Sequence, residues 1–580
     1  MEAVEELYVM HLAEGEDEEG CVFPGVSLPW AMEDQWDEIT GKELDKEKVF
    51  KGRVKELAKF AERRVYVHHP RDQAMLDEGG KFVRTRWVQT VKGDEVRCRL
   101  VAQEFAHGDP REDLFAGTPP LFAARLLVSQ AASRPQKDWT LMCLDVSCAF
   151  LYAPIKRKIY IELPSEDPRS ASGEWVGKLE KALYGTRDAP QAWLEELGTT
   201  LDNLGFKASA YFPGLYHHEG LQVTMVTHVD DLLCCGPPEA LRRVRTELQQ
   251  KYEVKGEVME QEVQELRFLG RVITRSEEGF CWQEDPKHRQ ILLEEWGMSE
   301  CNGVGTPIAV EKEIMEEEEM PPTEAKMFRR TAARLNYLAQ DRPDLAVAAN
   351  LLARSMSRPM KNDSIKVKRV LRYLQSHPSC KLMYAYQGPP QGLTILTDSD
   401  WAGDATTRRS TSGLMVIMGG HLIHFASRMQ KTVALSSGEA ELNALVLGLS
   451  EGLGISNVLK EWGSPSSIGC FCDSSAARGI ASRVGVGRIK HLEVRQLWIQ
   501  EQIRRGRAYI EWLPRKSNSA DALTHACTEE QGKVHLARVG VQVVRIEAKA
   551  SIRGGVLADP VYSWWAAPPR RCRWVDLVDL

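Results

Sequence analysis

Two sets of carboxylates stand out by what surrounds them. Thr140-Leu-Met-Cys-Leu-Asp145 is an apolar run that ends in an acid. Asp230-Asp231 lies between two apolar, β-favouring runs, 221–229 and 232–235. A buried strand that delivers a carboxylate at its end has the first pattern. Two strands with a pair of acids at the tip of their hairpin have the second. If these strands are neighbours, Asp145, Asp230 and Asp231 converge. Such a cluster suits two hard divalent cations, Mg2+ or equally Mn2+, which take oxygen donors and serve phosphoryl transfer. An Asp-Asp pair alone is most often a surface turn, so the flanking runs carry the argument.

The second set repeats the device. Leu393-Thr-Ile-Leu-Thr-Asp398 and Ile468-Gly-Cys-Phe-Cys-Asp473 are again strands ending in acids. Residues 412–425 read as a hairpin turning at Gly419-Gly420. Ser436-Ser-Gly-Glu439 is a capping box that opens a helix with Leu442, Leu445, Leu449 and Ile455 on one side, and it puts Glu441 in the first turns. Asp521 heads a short helix after the strand around 508–513. Asp398, Glu441, Asp473 and Asp521 thus come from four separate elements around a hairpin and αβ crossovers. Asp400 and Asp404 read as local structure.

The elements that must position these groups set the domain plan. The 580 residues are enough for three or four domains. The expected fold class is α+β and α/β multidomain, with an acidic flexible leader at 1–45 and mixed α/β patterning over 46–275. A basic, mainly helical stretch at 276–390 and an α/β unit at 391–530 follow, with an unassigned tail at 531–580. Composition is 43% apolar and 27% charged, and no apolar run approaches the ~18 residues of a membrane helix, so no membrane partner is expected. The 13 cysteines contain no CxxC pair and no Cys/His grouping with zinc spacing, and read as reduced core thiols. Net charge is −7, yet residues 325–373 hold twelve Lys/Arg against Asp341, Asp344 and Asp363. That window reads as a phosphate-binding stripe.

The motifs resemble the pol region of copia-type LTR retrotransposons. Arg97-Cys-Arg-Leu-Val-Ala-Gln-Glu-Phe105, Leu144-Asp-Val-Ser-Cys-Ala-Phe-Leu151, Leu183-Tyr-Gly-Thr-Arg-Asp-Ala-Pro-Gln-Ala-Trp193 and His228-Val-Asp-Asp231 occur in that family's order. Thr397-Asp-Ser-Asp-Trp-Ala-Gly-Asp404, Val433-Ala-Leu-Ser-Ser-Gly-Glu-Ala-Glu441 and Lys490-His491 continue the likeness. The resemblance implies a right-hand polymerase of fingers, palm and thumb followed by an RNase H-like domain, with two ions per active site. Asp145, Asp230 and Asp231 become metal ligands of the polymerase, and Asp398, Glu441, Asp473 and Asp521 those of the RNase H. Glu439 rivals Glu441 because the family's Glu-x-Glu offers both, and His491 becomes a residue for product release or nucleic-acid binding. Phe150 stands where the family has a steric gate against ribonucleotides, and Arg97 or Arg99 would contact the triphosphate. His228 replaces a tyrosine. Asp188 replaces a glutamine expected near the nucleotide, an unfavourable charge unless a cation such as Arg187 offsets it. The implied partners are an RNA template, a DNA primer, an RNA/DNA hybrid and dNTPs, with dimer or particle association beside them. The implied location is cytoplasmic, in a virus-like particle, or nuclear. The competing expectation is a decayed or co-opted copy that binds nucleic acid with only RNase H activity or none.

Overall fold

The computed structural model describes residues 34–105, 117–134, 138–309, 318–464, 466–487 and 490–546. These residues form a multidomain α+β structure. At its centre is a six-stranded antiparallel sheet in the order Val254–Val258, Thr140–Val146, Asp231–Gly236, Val223–His228, Leu215–His218, Lys207–Ala208. Its strands read as continuous apolar runs because both faces are covered. Leu141, Leu233 and Cys235 look to one side, toward the helix Leu121–Ala132. Met142, Leu144, Leu232 and Cys234 look to the other, where the helices Ala189–Asn203 and Pro238–Gln249 pack.

An N-terminal four-stranded sheet and the hairpin Thr85–Lys92/Glu95–Ala102 flank this centre, with the helix Lys46–Arg63 against the hairpin. The chain between the sites builds a five-stranded antiparallel sheet, Glu265–Phe268, Arg271–Ser276, Gly279–Gln283, Ser379–Ala385 and Val541–Val544, and a layer of four helices over 286–376. Every residue of the helix Leu121–Ala132 from Phe122 onward is buried, because sheets close on it from several sides. No polar stripe is left on it. Its Arg125 donates to Asp341 at 2.9 Å, and Asp341 also accepts from Arg271 and Trp282.

The C-terminal sheet has the order His421–Met429, Thr411–Met418, Gly392–Asp400, Ser467–Cys472, Tyr509–Trp512. Its first three strands are antiparallel and the last two parallel to Gly392–Asp400. The helix Ser437–Glu461 lies across it. Gly448 allows the close approach: a Cβ there would meet Thr397 at 2.7 Å and Ile395 at 2.9 Å.

Several expectations are corrected. Residues 34–45, assigned to a flexible leader, are folded: Asp37 accepts from the backbone of Ile39, Thr40 and Val91, and Gln35 holds Arg53. The rest of that leader lies outside the described residues. The tail assigned from 531 is structured to 546, because the strand Val541–Val544 pairs with Ser379–Ala385 and closes the five-stranded sheet. Residues 547–580 lie outside the described residues. The boundary set at 275/276 falls inside the strand Arg271–Ser276, since the sheet is built from both sides of it. The helix Ser437–Glu461 is long and apolar enough to cross a membrane by length and mean composition alone, although Asn443, Ser450 and Glu451 interrupt its apolar run. Here it is a core helix, with Leu442, Leu445 and Leu449 fully buried.

The basic stripe is also corrected, because acids outside the window neutralise it. Arg342 is fully buried between Glu284 and Asp344. Arg330 and Arg334 share Glu295, and Arg354 meets Asp404. Arg358 and Lys361 pair with Glu319 and Glu318. Arg329, Arg369 and Arg372 bind loop oxygens. Lys326 and Lys368 remain exposed.

Candidate catalytic sites

The first site stands on the central sheet. Asp145 and Asp231 are direct register partners on adjacent antiparallel strands. Alternation along each strand puts both on one face, so their Cβ atoms lie ~5 Å apart. Asp230 sits in the two-residue turn between paired His228 and Asp231. That turn needs a left-handed backbone, and Val229 supplies it at φ 56°. A β-branched residue there is strained by roughly 1–3 kcal/mol. Two hydrogen bonds hold the strained turn: Trp193 Nε1 donates to the Val229 carbonyl at 2.6 Å, and Val146 N to the Asp230 carbonyl at 2.9 Å. Trp193 lies within a motif the sequence reading quoted, but its positioning role had no sequence signal.

Burial first, then the neighbouring Asp230 and Asp145, pushes the Asp231 carboxyl up to about 6. Burial and Asp230 also raise Asp145, against the opposing pull of Lys255, its register partner on the other side. Crowded carboxylates that resist ionisation are relieved by a cation, so the donor set fits a divalent metal.

A cavity of 500 Å³ opens above Asp145 and Asp230, and Arg97, Arg99 and Phe150 line it. Strand alternation turns Val96, Cys98 and Leu100 inward and leaves both arginines facing the cavity. The Arg99 guanidinium lies 5.1 Å over the Tyr184 ring, and Phe150 meets the same ring edge-on at 5.6 Å.

Asp188 does not line this cavity. Arg157 takes it in a two-pronged ion pair, at 2.8 and 2.5 Å, and also grips Glu104 at 2.8 and 3.0 Å. Arg157 is therefore a compensating cation for Asp188, and the Arg187 backbone N–H donates to Glu104. Although burial works to raise Glu104, Arg157 and its other donors hold it down at about 2. Arg157→Ala leaves two buried carboxylates short of their partner. It is expected to destabilise the protein by about 3 kcal/mol, read from the urea midpoint. Asp188→Gln is expected to cost less and to leave catalysis in the cavity within about twofold.

The second site gathers three of its four expected acids. Asp398, Glu441 and Asp473 each offer a ligand atom within 4.8 Å of the others. Burial, then Asp398 and Asp473, lifts Glu441 to about 8. Burial also lifts Asp398 to about 6, although Thr524 Oγ1 donates to it at 2.5 Å. Glu441 Oε1 accepts from Ser399 N at 3.1 Å, while its buried Oε2 has no partner. An orphaned buried oxygen among three crowded carboxylates fits a bound cation.

Asp521 is not among the three that meet within 4.8 Å, but its charge helps raise both Asp398 and Asp473, and it pairs with His525 at 3.2 Å. Glu439, the rival of Glu441, accepts from Leu435 N and meets His491 at 2.9 Å. Asp400 and Asp404 serve local structure, accepting from Thr411 N and from Thr407 N. Thr524 was missed by the sequence reading, since a hydroxyl reaching a carboxylate 126 residues away leaves no local trace.

Comparison with known proteins bears first on the site around Asp145 and Asp231. Residues 67–310 match the family described as reverse transcriptase (RNA-dependent DNA polymerase). The chain is 29% identical over 477 residues to the retrovirus-related Pol polyprotein from transposon RE1 of Arabidopsis thaliana, covering 79% of this chain and 32% of that protein. It is 30% identical over 460 residues to that from transposon RE2 of the same plant, covering 76% and 31%. The chain thus spans about a third of the length of these relatives. Among solved structures, a foamy viral protease-reverse transcriptase in complex with RNA/DNA hybrid is 12% identical, with a TM-score of 0.40 over 74% of this chain and 50% of that one.

Proposed function

We propose that the chain, whose residues 67–310 match the reverse transcriptase family and which is similar to copia-type Pol polyproteins, copies RNA into DNA around Asp231 and cleaves the RNA strand of the resulting hybrid around Asp398. The observation that carries the first half is the register pair Asp145–Asp231 beside a cavity that also holds Arg97, Arg99 and Phe150. In this reading the six-stranded sheet is the palm, and the N-terminal sheet and hairpin are the fingers.

Asp145, Asp230 and Asp231 would hold divalent cations in one site, and Asp398, Glu441, Asp473 and Asp521 in the other. When bound, Mg2+ or Mn2+ neutralises charge on the reacting phosphoryl oxygens and favours ionisation of the attacking hydroxyl or water. The protein's own groups do the rest. Arg97 and Arg99 face the space above Asp145 as two guanidinium forks, suited to triphosphate oxygens. The turn at Val229–Asp230 is pinned from both sides, so the carboxylates are held before substrate arrives. Phe150 is braced by Tyr184 and presents its ring where a sugar would lie. Phe150→Val is expected to raise ribonucleotide incorporation relative to deoxynucleotide by roughly ten- to a hundredfold, measured as the ratio of kcat/KM values.

The test is primer extension by the purified chain on an RNA template with Mg2+, the template strand being labelled as well. Extension with template cleavage supports both halves. Hybrid cleavage without extension would refute the polymerase half. Extension with an intact template would refute the other. The decayed-copy reading drew support from Asp188 and His228; the ion pair of Asp188 with Arg157 weakens the first of these and leaves His228.

A further inference from the structure

Beside the carboxylate triad the chain assembles donors of a different chemical kind. One ligand atom each from Asp521, His525 and Cys527 lies within 4.8 Å of the others. Asp521 belongs to the short helix Ser519–Leu523, and the imidazole and thiol follow within six residues. His525 directs Nε2 at Asp521 Oδ2, 3.2 Å away, and its Nδ1 lies 3.0 Å from Thr524 Oγ1. A cavity of 610 Å³ is lined by Asp521, His525 and also His535. His535 is 7% exposed, and its buried Nδ1 has no hydrogen-bond partner.

The bland account is an ion pair between Asp521 and His525, with Arg515 at 3.4 Å supporting the carboxylate. That account leaves two observations unused. It needs no thiol within reach of both groups, and it gives the buried His535 nitrogen nothing to do. A carboxylate, an imidazole and a thiol in one place are instead the donor set of a borderline-soft cation. Mg2+ takes oxygen ligands and has no use for the sulfur.

We propose that Asp521, His525 and Cys527 form a binding site for a transition-metal ion of the Zn2+ class, with His535 or a water as the fourth donor. On binding, the Cys527 S–H bond is lost and a sulfur–metal bond forms, the proton leaving to solvent with no change in oxidation state. This site differs in chemistry from the all-oxygen triad of Asp398, Glu441 and Asp473. It shares Asp521 with the proposed hybrid-cleaving set, so an ion held here takes that carboxylate from the fourth place in the set. The sequence reading did not single it out, because Asp521, His525 and Cys527, although local, form neither a CxxC pair nor a Cys/His grouping with zinc spacing.

Titration of the full metal-free chain with Co2+ tests the proposal. The wild type is expected to show thiolate-to-cobalt charge-transfer absorption that saturates at one ion and is displaced by Zn2+, any Co2+ held by the carboxylate clusters giving no such band. Cys527→Ser, near-isosteric at a half-buried position, should lose that absorption. His525→Gln should weaken Co2+ binding at least about tenfold. Asp398→Asn should keep the thiolate band while losing hybrid cleavage, since Asp398 is not among the three donors. Failure of this proposal and failure of the cleavage reading are then distinguishable. An unchanged charge-transfer band in Cys527→Ser, or no Co2+ uptake by the wild type, would overturn the proposal. Cys527→Ala repeats the test without an oxygen in place of sulfur.

Discussion

Replacing Asp231 by asparagine is expected to lower primer extension about a thousandfold and to leave hybrid cleavage intact. The amide keeps the volume of the side chain and its place on the strand Asp231–Gly236, so pairing with Asp145 survives. What it removes is a charge that the fold pays to keep. Burial, with Asp230 and Asp145 close by, lifts Asp231 to about 6, above the ordinary carboxylate range. A carboxyl raised in the folded state stabilises the metal-free protein fully at acid pH, and that contribution disappears as pH rises through about 6. At pH 8 the metal-free Asp231→Asn protein should therefore melt no lower than the wild type. The rise in melting temperature that Mg2+ produces should shrink in the variant, since one ligand is gone. Activity would then have been lost without loss of structure. Extension at a tenth of the wild-type rate or better would remove Asp231 from the reacting centre.

Parts of this arrangement were legible in the sequence because they are local. Thr140–Val146 and the runs flanking Asp230-Asp231 are covered on both faces, so each appears as an unbroken apolar stretch with an acid at its end. The turn at Gly419-Gly420 and the Ser436 cap are likewise set by neighbours in the chain, with Gly419 at φ 62° and Ser436 Oγ accepting from Glu439 N at 3.2 Å. The misread features depend on partners far away. Net charge over 325–373 looked like a phosphate track because Glu284, Glu295, Glu318, Glu319 and Asp404 lie outside that window. Asp188 looked like a charge facing the nucleotide because Arg157, 31 residues earlier, gave no sign of reaching it. The strand Val541–Val544 was invisible for the same reason: its pairing residues at 379–382 are about 160 positions upstream. Short apolar strands declare themselves, whereas ion pairs and sheet closure declare themselves only in space.

The second large effect is expected at Glu441, where activity and stability should move in opposite directions. Glu441→Gln should abolish hybrid cleavage while making the metal-free protein more stable at alkaline pH. The wild-type carboxyl is lifted to about 8 by burial and by Asp398 and Asp473, from an ordinary value of 4.5. The folded protein therefore binds this proton more tightly than the unfolded chain does. Its stabilising effect is complete below about pH 4.5 and is lost as pH rises through about 8. The amount at stake is on the order of 2–4 kcal/mol, shared with Asp398, because the crowded acids titrate together. Glutamine can keep the hydrogen bond from Ser399 N and cannot ionise, so it should flatten the fall in stability between pH 5 and 8.5. Mg2+ should restore wild-type stability at high pH and do little for the variant, because the ion needs the ionised triad. Urea midpoints for both proteins, with and without Mg2+ across that range, make the comparison. Parallel pH profiles in the absence of metal would mean that Glu441 is not crowded by Asp398 and Asp473. Persistent cleavage of a labelled hybrid by Glu441→Gln would mean that the crowding has no part in the chemistry.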